Sequence, residues 1–306
     1  MARIIFMGTP EYARIILQAI HSPHDQFLVV TKPDMPVGRR QKLMPPPVAV
    51  WAQEQGIRVD KPARLRDYRA EWEAFRPDWI LTAAYGRILP PWALSLPKWG
   101  AYNLHASLLP RWRGPNPVAW AIRAGDALSG VTLMAMDEGM DTGGIVDVVK
   151  IPIEPNDCTQ SLTRKLAQNA ADLWLRNRIR VGLGRLSNTP QSQQGMSYAP
   201  KFESGEGHLD FHQSADVLDA LVRSMTPAPG AYTIFRDQRI RVLKAKGDSH
   251  AGDGPVGTAL LVKNDWTIST GKGRLVISAI QPSGRRPMTP GDFVRGRPGE
   301  TEWLLT

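Results

Sequence analysis

Three polar side chains in this chain have the types and the spacing for acyl transfer to an amine. Asn103 and His105 stand two residues apart in Asn103-Leu104-His105-Ala106-Ser107-Leu108-Leu109-Pro110-Arg111-Trp112-Arg113-Gly114. Asp141 follows in Met136-Asp137-Glu138-Gly139-Met140-Asp141-Thr142-Gly143. A carboxamide can donate a hydrogen bond to a developing oxyanion, and an imidazole can accept a proton. A carboxylate can orient that imidazole and stabilise its charged form. In an extended strand residues two apart project from one face, so Asn103 and His105 would share a site while Leu104 packs the other way. A histidine on its own is more often structural than catalytic; the neighbouring amide and the Ser-Leu-Leu-Pro run reverse that balance here. His105, Asp137 and Asp141 could also ligate a metal, but no H-x-x-x-H or cysteine pair accompanies them, so no metal is expected. Asp137 alone also reads as a cap for the turn that follows it. Ser107 lacks the G-x-S-x-G elbow that a serine nucleophile needs.

The elements that must position these groups alternate between short apolar runs and amphipathic segments. Strands are expected at 3–7, 27–31, 58–59, 79–84, 101–105, 131–136 and 145–153, with helices at 11–20, 47–55, 72–75, 117–123 and 161–180. That alternation predicts an α/β domain with a Rossmann-like, doubly wound, mainly parallel sheet over residues 1–181. The run Trp79-Ile80-Leu81-Thr82-Ala83-Ala84 fits a strand covered on both faces. From 182 to 200 the chain turns polar and reads as a linker. Residues 201–306 change texture, with short strands at 232–235, 239–244, 257–262, 266–269 and 275–280, a helix at 217–224, and turns at Asp237-Gln238 and Gly271-Lys272-Gly273. A small β-barrel of OB type accounts for that pattern, and pattern alone does not separate it from a sandwich.

Three loops carry further signals. Met7-Gly8-Thr9-Pro10 follows the first strand but has only one glycine of a G-x-G-x-x-G fingerprint, so a nicotinamide cofactor is not expected. The connection from Lys32 to Pro47 is long, has no expected structure of its own, and holds Arg39, Arg40 and Lys42 among Pro and Gly. It suits a mobile arm that orders against phosphates, or else a merely solvated basic loop. The segment Tyr85-Gly86-Arg87-Ile88-Leu89-Pro90 closes a strand at the carboxyl edge of the sheet, where open α/β sheets bind ligands.

The Asn-x-His pair before Ser-Leu-Leu-Pro, with an aspartate in a downstream Asp-Thr-Gly loop, resembles the folate-dependent formyltransferases. The likeness runs nearly end to end. By position it makes Asn103, His105 and Asp141 the catalytic set. It implies 10-formyltetrahydrofolate as formyl donor, bound by Tyr85, Gly86, Arg87, Ile88, Leu89, Ser107, Leu108, Leu109, Pro110, Asp137 and Gly139. Ile88 and Leu89 would contact the pterin rings, and Arg87 stands where the family has an aliphatic residue or Gln. The basic loop, and the stretches 226–233 and 281–288, are similar to those of the family members whose acceptor is methionine esterified to initiator tRNA. On that resemblance Arg39, Arg40 and Lys42 would meet the acceptor end of the tRNA, and Lys244, Lys246, Arg285 and Arg286 of the barrel would add contacts. A rival acceptor is an amino sugar or another small amine, for which neither the basic loop nor the barrel is needed. A non-catalytic RNA-binding protein is disfavoured by the complete Asn, His and Asp set.

Composition sets the remaining bounds. The 306 residues suffice for one large core and a smaller domain. A formal charge of +9 favours a polyanionic partner, yet residues 201–306 hold 14 Lys and Arg against 12 Asp and Glu, so the excess lies mainly in the first domain. Cys158 is the only cysteine, which excludes an intrachain disulfide. With no apolar run of membrane-spanning length and no charged leader, a cytoplasmic monomer is expected.

Overall fold

Apolar runs of five or six residues build the centre of the first sheet. In chain order its strands are β1 (Arg3–Gly8), β2 (Gln26–Val30), β5 (Arg58–Asp60), β6 (Trp79–Ala83), β7 (Ala101–His105), β8 (Leu128–Ala135) and β9 (Ile145–Pro152), with β3 (Met35–Val37) and β4 (Lys42–Met44) forming a separate hairpin. The computed structural model describes residues 1–37, 41–182, 187–295 and 302–306. They fall into two units: residues 1–117, 128–152 and 163–200 form one, and residues 118–127, 153–162 and 201–306 the other.

The first sheet runs β5-β2-β1-β6-β7-β8-β9. Strands β5 to β7 in that order are parallel, while β8 is antiparallel to β7 and β9 to β8. Every residue of β6 is buried, as its unbroken apolar run demands of a strand covered on both faces. From β1 the chain builds outward to β2 and β5, then returns to the other side of β1 to lay down β6. The strand order therefore reverses between β1 and β6, and the carboxyl ends there form the natural ligand crevice. Helix α1 (Glu11–Ile20) buries Tyr12, Ala13, Ile16, Leu17 and Ile20, a single face at helical spacing. Helices α2 (Pro47–Glu54), α3 (Arg69–Phe75), α4 (Pro91–Leu94), α5 (Pro117–Arg123) and the long α6 (Thr159–Gly182) complete the connections.

Two segments differ from expectation. The connection after β2 is not structureless: β3 and β4 pair in the register Met35↔Met44, Pro36↔Leu43 and Val37↔Lys42. Short antiparallel pairing satisfies backbone groups that an open loop would leave to water. The polar stretch read as a linker is bonded into the first unit. Thr189 exchanges two backbone bonds with Ile145, both 2.8 Å, and Ala199 donates to the Arg113 carbonyl at 2.7 Å.

The second unit contains α7 (Ala215–Ser224), α8 (Pro290–Arg295) and a six-stranded antiparallel sheet of β10 (Tyr232–Phe235), β11 (Gln238–Asp248), β12 (Thr258–Val262), β13 (Asp265–Ser269), β14 (Arg274–Pro282) and β15 (Glu302–Leu304). Its order is β10-β11-β14-β13-β12-β15, and Thr306 exchanges backbone bonds of 2.7 and 3.0 Å with Ile234 of β10, which joins the two edges. The result is the expected OB-like barrel, with one more strand than the sequence pattern indicated. Strand β11 bends through register shifts around Lys244, as a bulge allows. Leu218, Leu221 and Val222 of α7 pack on Ile240, Val242, Trp266, Ile277 and Phe293 in one continuous core. The turn between β10 and β11 is Arg236-Asp237, one residue earlier than expected. Both residues have positive φ, as a type I′ hairpin requires.

Candidate active site

Strand β7 places Asn103 and His105 on one face, and the loop after β8 brings Asp141 to both. Asn103 Nδ2 donates to Asp141 Oδ1 at 3.2 Å, and His105 Nδ1 lies 3.5 Å from the same oxygen. Leu104 turns the other way and is buried, as strand alternation requires. The amide is oriented from behind: Thr82 of β6, the register partner of Asn103, donates its hydroxyl to Asn103 Oδ1 at 2.9 Å. The Asp141 carboxylate, which can only accept, fixes which end of the carboxamide is the donor, and Thr82 holds the other end. The other Asp141 oxygen accepts the Gly114 N–H at 2.9 Å.

The imidazole is oriented by a group the sequence did not single out. His105 Nε2 lies 2.9 Å from the Trp112 carbonyl oxygen, which can only accept, so Nε2 carries a proton. The tautomer is thus set by a backbone carbonyl. Nδ1 is the nitrogen that faces Asp141 and Asn103, and it is the one able to take or give a proton there. Two acceptors, Nδ1 and a carboxylate oxygen, face one another across 3.5 Å. An N–H or ammonium group of a substrate, donating to both, suits such a space. The two residues that approach His105 both hold left-handed backbone, Trp112 at φ 64° and Asp141 at φ 56°. Non-glycine residues in that region cost energy and concentrate at functional sites.

The Asp-Thr-Gly-Gly sequence is explained by close approach. A side chain on Gly143 would run into the Ala135 carbonyl, and one on Gly144 would meet the Asn188 carboxamide. Asp137 accepts from the Gly139 N–H at 3.1 Å and the Thr142 hydroxyl at 2.7 Å, so it caps the turn that carries Asp141. Ser107 donates to the Arg111 carbonyl at 2.7 Å and is buried, which leaves its hydroxyl no role as a nucleophile.

The remaining expected donor-site residues sit at the carboxyl ends of β6 and β7. Tyr85 and Leu89 are buried in the cluster that includes Ile5, Met7, Trp72 and Ile80. Leu89 is 1% exposed and packs within that cluster, whereas Ile88 does not. Burial pushes the Tyr85 hydroxyl up to about 12, against the opposing charge of Arg87. Gly86 is exposed, and Ile88 is 61% exposed and lies outside any strand or helix. Arg87 donates to the carbonyls of Pro62 at 2.9 Å and Ala63 at 3.1 Å, an anchoring role that an aliphatic residue could not fill. Thr9 reaches the Tyr85 carbonyl at 3.4 Å, which ties the turn after β1 to this edge. Leu109 is buried and Leu108 and Pro110 are half-buried beside β7.

The expected cationic residues are dispersed. Arg39 and Arg40 lie outside the described residues; Lys42 is exposed on β4. Lys244 and Lys246 are exposed on β11, and Arg285 and Arg286 are exposed in the turn after β14. The Ser283 N–H donates to the Arg239 carbonyl at 3.2 Å, so that turn lies beside Arg239 and the start of β11. Arg176 and Arg178 of α6 are paired with Asp147 and Asp25, which accounts for them structurally. No group of three or more His, Cys, Asp or Glu suited to a metal occurs among the described residues, nor does a helix long and apolar enough to cross a membrane.

The formyl transferase model matches residues 2–177, and the formyl transferase C-terminal domain model matches residues 201–298. This chain belongs to the formyl transferase family. The methionyl-tRNA formyltransferase of Hydrogenovibrio crunogenus is 38% identical over 299 residues, covering 96% of each chain. That of Myxococcus xanthus is 41% identical over 298 residues, covering 96% of this chain and 95% of its own. Among solved structures, the N-formyltransferase of Helicobacter canadensis, in complex with folinic acid and dTDP-3-aminofucose, superposes with a TM-score of 0.69 at 21% identity over 90% of this chain and 99% of its own. HypX from Aquifex aeolicus with tetrahydrofolic acid gives 0.65 at 18%, over 96% of this chain and 47% of its own. At those identities the formyl transferase fold is what is shared. Thr82, Trp112 and Gly114 escaped the sequence reading because two of them act through backbone atoms, which carry no residue-type signal.

Proposed function

We propose that the protein transfers the formyl group of 10-formyltetrahydrofolate to the amino group of methionine esterified to initiator tRNA, in the cytoplasm. The observation that carries this reading is the convergence of Asn103, His105 and Asp141 at the carboxyl edge of the sheet, with Asp141 bonded to Asn103 and 3.5 Å from His105 Nδ1. The relatives that match over nearly the whole chain at 38–41% identity bear the same activity in their names. The donor set suits a formyl-folate. Ile88 offers an exposed apolar surface beside the exposed backbone of Gly86, and a flat ring with donors and acceptors on its edge needs both.

Asn103 is oriented with its amide nitrogen toward the site, so it donates to the formyl oxygen as negative charge develops there. The incoming amine must be neutral to attack. As the new C–N bond forms the nitrogen sheds a proton, which His105 Nδ1 takes, since Nε2 is occupied by the Trp112 carbonyl. Asp141 stabilises the imidazolium that results, and the proton is returned to the folate nitrogen as its bond to the formyl carbon breaks. No covalent enzyme intermediate is required. Lys42 and its sequence neighbours Arg39 and Arg40, with Lys244, Lys246, Arg285 and Arg286, are the residues we assign to tRNA phosphates.

The test is a formylation assay with labelled formyl-folate and, separately, charged initiator tRNA, charged elongator tRNA and nucleotide-linked amino sugars. Product on methionyl initiator tRNA alone supports the reading. Product on an amino sugar and none on tRNA replaces it with the small-amine alternative.

A further inference from the structure

The polar stretch that follows α6 carries a side chain that joins both halves of the catalytic set. Gln191 donates from Nε2 to the backbone carbonyls of Asp141 and Gly143, each at 2.8 Å. Its Oε1 accepts from Arg113 Nη2 at 2.7 Å and Nε at 3.0 Å. The orientation of the amide is unambiguous, because carbonyls can only accept and a guanidinium can only donate. Arg113 is 5% exposed and lies between the two residues that hold the site from the other side. Trp112 fixes His105 through its carbonyl, and Gly114 fixes Asp141 through its N–H. The same stretch grips this segment again: Trp112 N–H donates to Ser197 Oγ at 3.0 Å, and Arg113 N–H to the Ser197 carbonyl at 2.9 Å. Gly144 leaves room for the Asn188 carboxamide against the aspartate loop.

We infer that Gln191, with Arg113, is a positioning residue for the reaction. It holds the Asp141 loop and the 112–114 segment at the spacing that lets Asp141 face His105 Nδ1 and Asn103. Asp141 sits in left-handed backbone, a region costly even for Asp, so neighbouring contacts help to keep it there. One carboxamide does what two separate side chains would otherwise do, since its two ends bind opposite segments. This inference rests on the catalytic reading of Asn103, His105 and Asp141.

The decisive variant is Gln191→Glu in the full chain. The carboxylate keeps, and strengthens, the contact to Arg113 but cannot donate to the two loop carbonyls. We expect kcat to fall roughly ten- to a hundredfold, the scale for small misplacement of a catalytic group. KM for formyl-folate should change by less than about twofold, and the melting temperature should stay within a few degrees of wild type. Gln191→Met, with neither charge nor donor at similar length, provides a second variant should the carboxylate disturb folding. Both are combined with Asp141→Asn. If Gln191 acts through Asp141, neither change lowers kcat further in the Asp141→Asn background. Wild-type kcat in both Gln191 variants, or an equal loss with and without Asp141, overturns the inference. Full activity of Asp141→Asn by itself is a different result, for it brings down the catalytic reading on which the inference stands.

Discussion

Nothing about Asn103 as a residue type says which end of its amide faces the substrate; the Asp141 carboxylate decides that, and Thr82 holds the opposite end. Replacing Thr82 by Val removes the hydroxyl but keeps the shape, so the buried end of the Asn103 amide loses its donor. An unsatisfied polar group of that kind costs about 1–2 kcal/mol, and the amide, then held only at its nitrogen end by Asp141, loses part of its alignment toward the oxyanion. Turnover of Thr82→Val should drop about tenfold with little change in melting temperature, read by steady-state formylation and a thermal scan. Ala in place of Asn103, His105 or Asp141 should cost about a hundredfold or more in kcat, the scale for losing an oxyanion donor or a proton acceptor. Near-normal turnover of His105→Ala would remove Nδ1 from the proton path. At this scale the sequence was informative about chemistry-bearing side chains and silent about their holders. The spacing of Asn103 and His105 and the loop position of Asp141 were legible. The Trp112 carbonyl and the Gly114 N–H were not, because any residue type supplies them.

The elements were legible wherever an apolar period repeats over several residues, as in β6, α1 and α7, and of the three-residue strands only β5 was read. Strands β3, β4 and β15 are each three residues long, too short to show alternation, and their pairing is decided by partners distant in sequence. The β3–β4 hairpin nonetheless presents Lys42 outward in a segment where Arg39 and Arg40 are close by in sequence. If these three neutralise phosphates, tRNA affinity should fall with salt by roughly 0.7 to 0.9 log units per log unit for each contact. Changing Arg39 and Arg40 to Ala should flatten the measured slope by about one to two units and leave formyl-folate binding alone. An unchanged slope makes the hairpin a solvated surface feature. In the barrel, Asp248 at the end of β11 is held well below the usual carboxylate range by hydrogen bonds from His250 and then Arg274. A carboxylate with a lowered folded value contributes stability above its unfolded value, about 4, and loses it as pH falls through the folded one. The melting temperature of Asp248→Asn should therefore lie below that of wild type at pH 7, with the gap closing as the pH is taken from about 5 toward 2. A gap that persists at the acid end would assign the effect to something other than ionisation. Because this carboxylate is in contact with solvent, added salt should narrow the gap too.

For the molecule as a whole, membership of the two units does not follow chain order. A linear reading divides the chain near residue 200, yet the second unit also takes residues 118–127 and 153–162. Within it Trp120 stacks near Phe202 at 5.6 Å, Arg123 pairs with Glu206 at 3.0 Å, and Thr159 donates to the Ser224 carbonyl at 2.6 Å. A fragment ending at residue 200 loses every one of those partners. It should melt lower and over a broader range than the full chain and bind a hydrophobic dye, as monitored by calorimetry and fluorescence. A fragment as cooperative as the whole would mean that the first unit closes over these segments unaided. The charge count favours a polyanionic partner but does not locate it, since the barrel itself is nearly balanced.

The interleaved membership of the second unit also has a bearing on how the protein is made. Ribosomes deliver chain at roughly 5–20 residues per second, N-terminal end first. Val118, Ala121 and Leu162, all buried in the finished fold, emerge well before Phe202, and most of the unit around them is still untranslated at that moment. The remaining 144 residues beyond Leu162 need on the order of 7–30 seconds to appear. During that interval the nascent chain exposes two sticky segments beside an otherwise completable sheet, a natural target for a trigger-type chaperone. Slow codons placed after residue 162 should lengthen the exposure and lower the soluble yield, whereas the same codons placed before residue 118 should not.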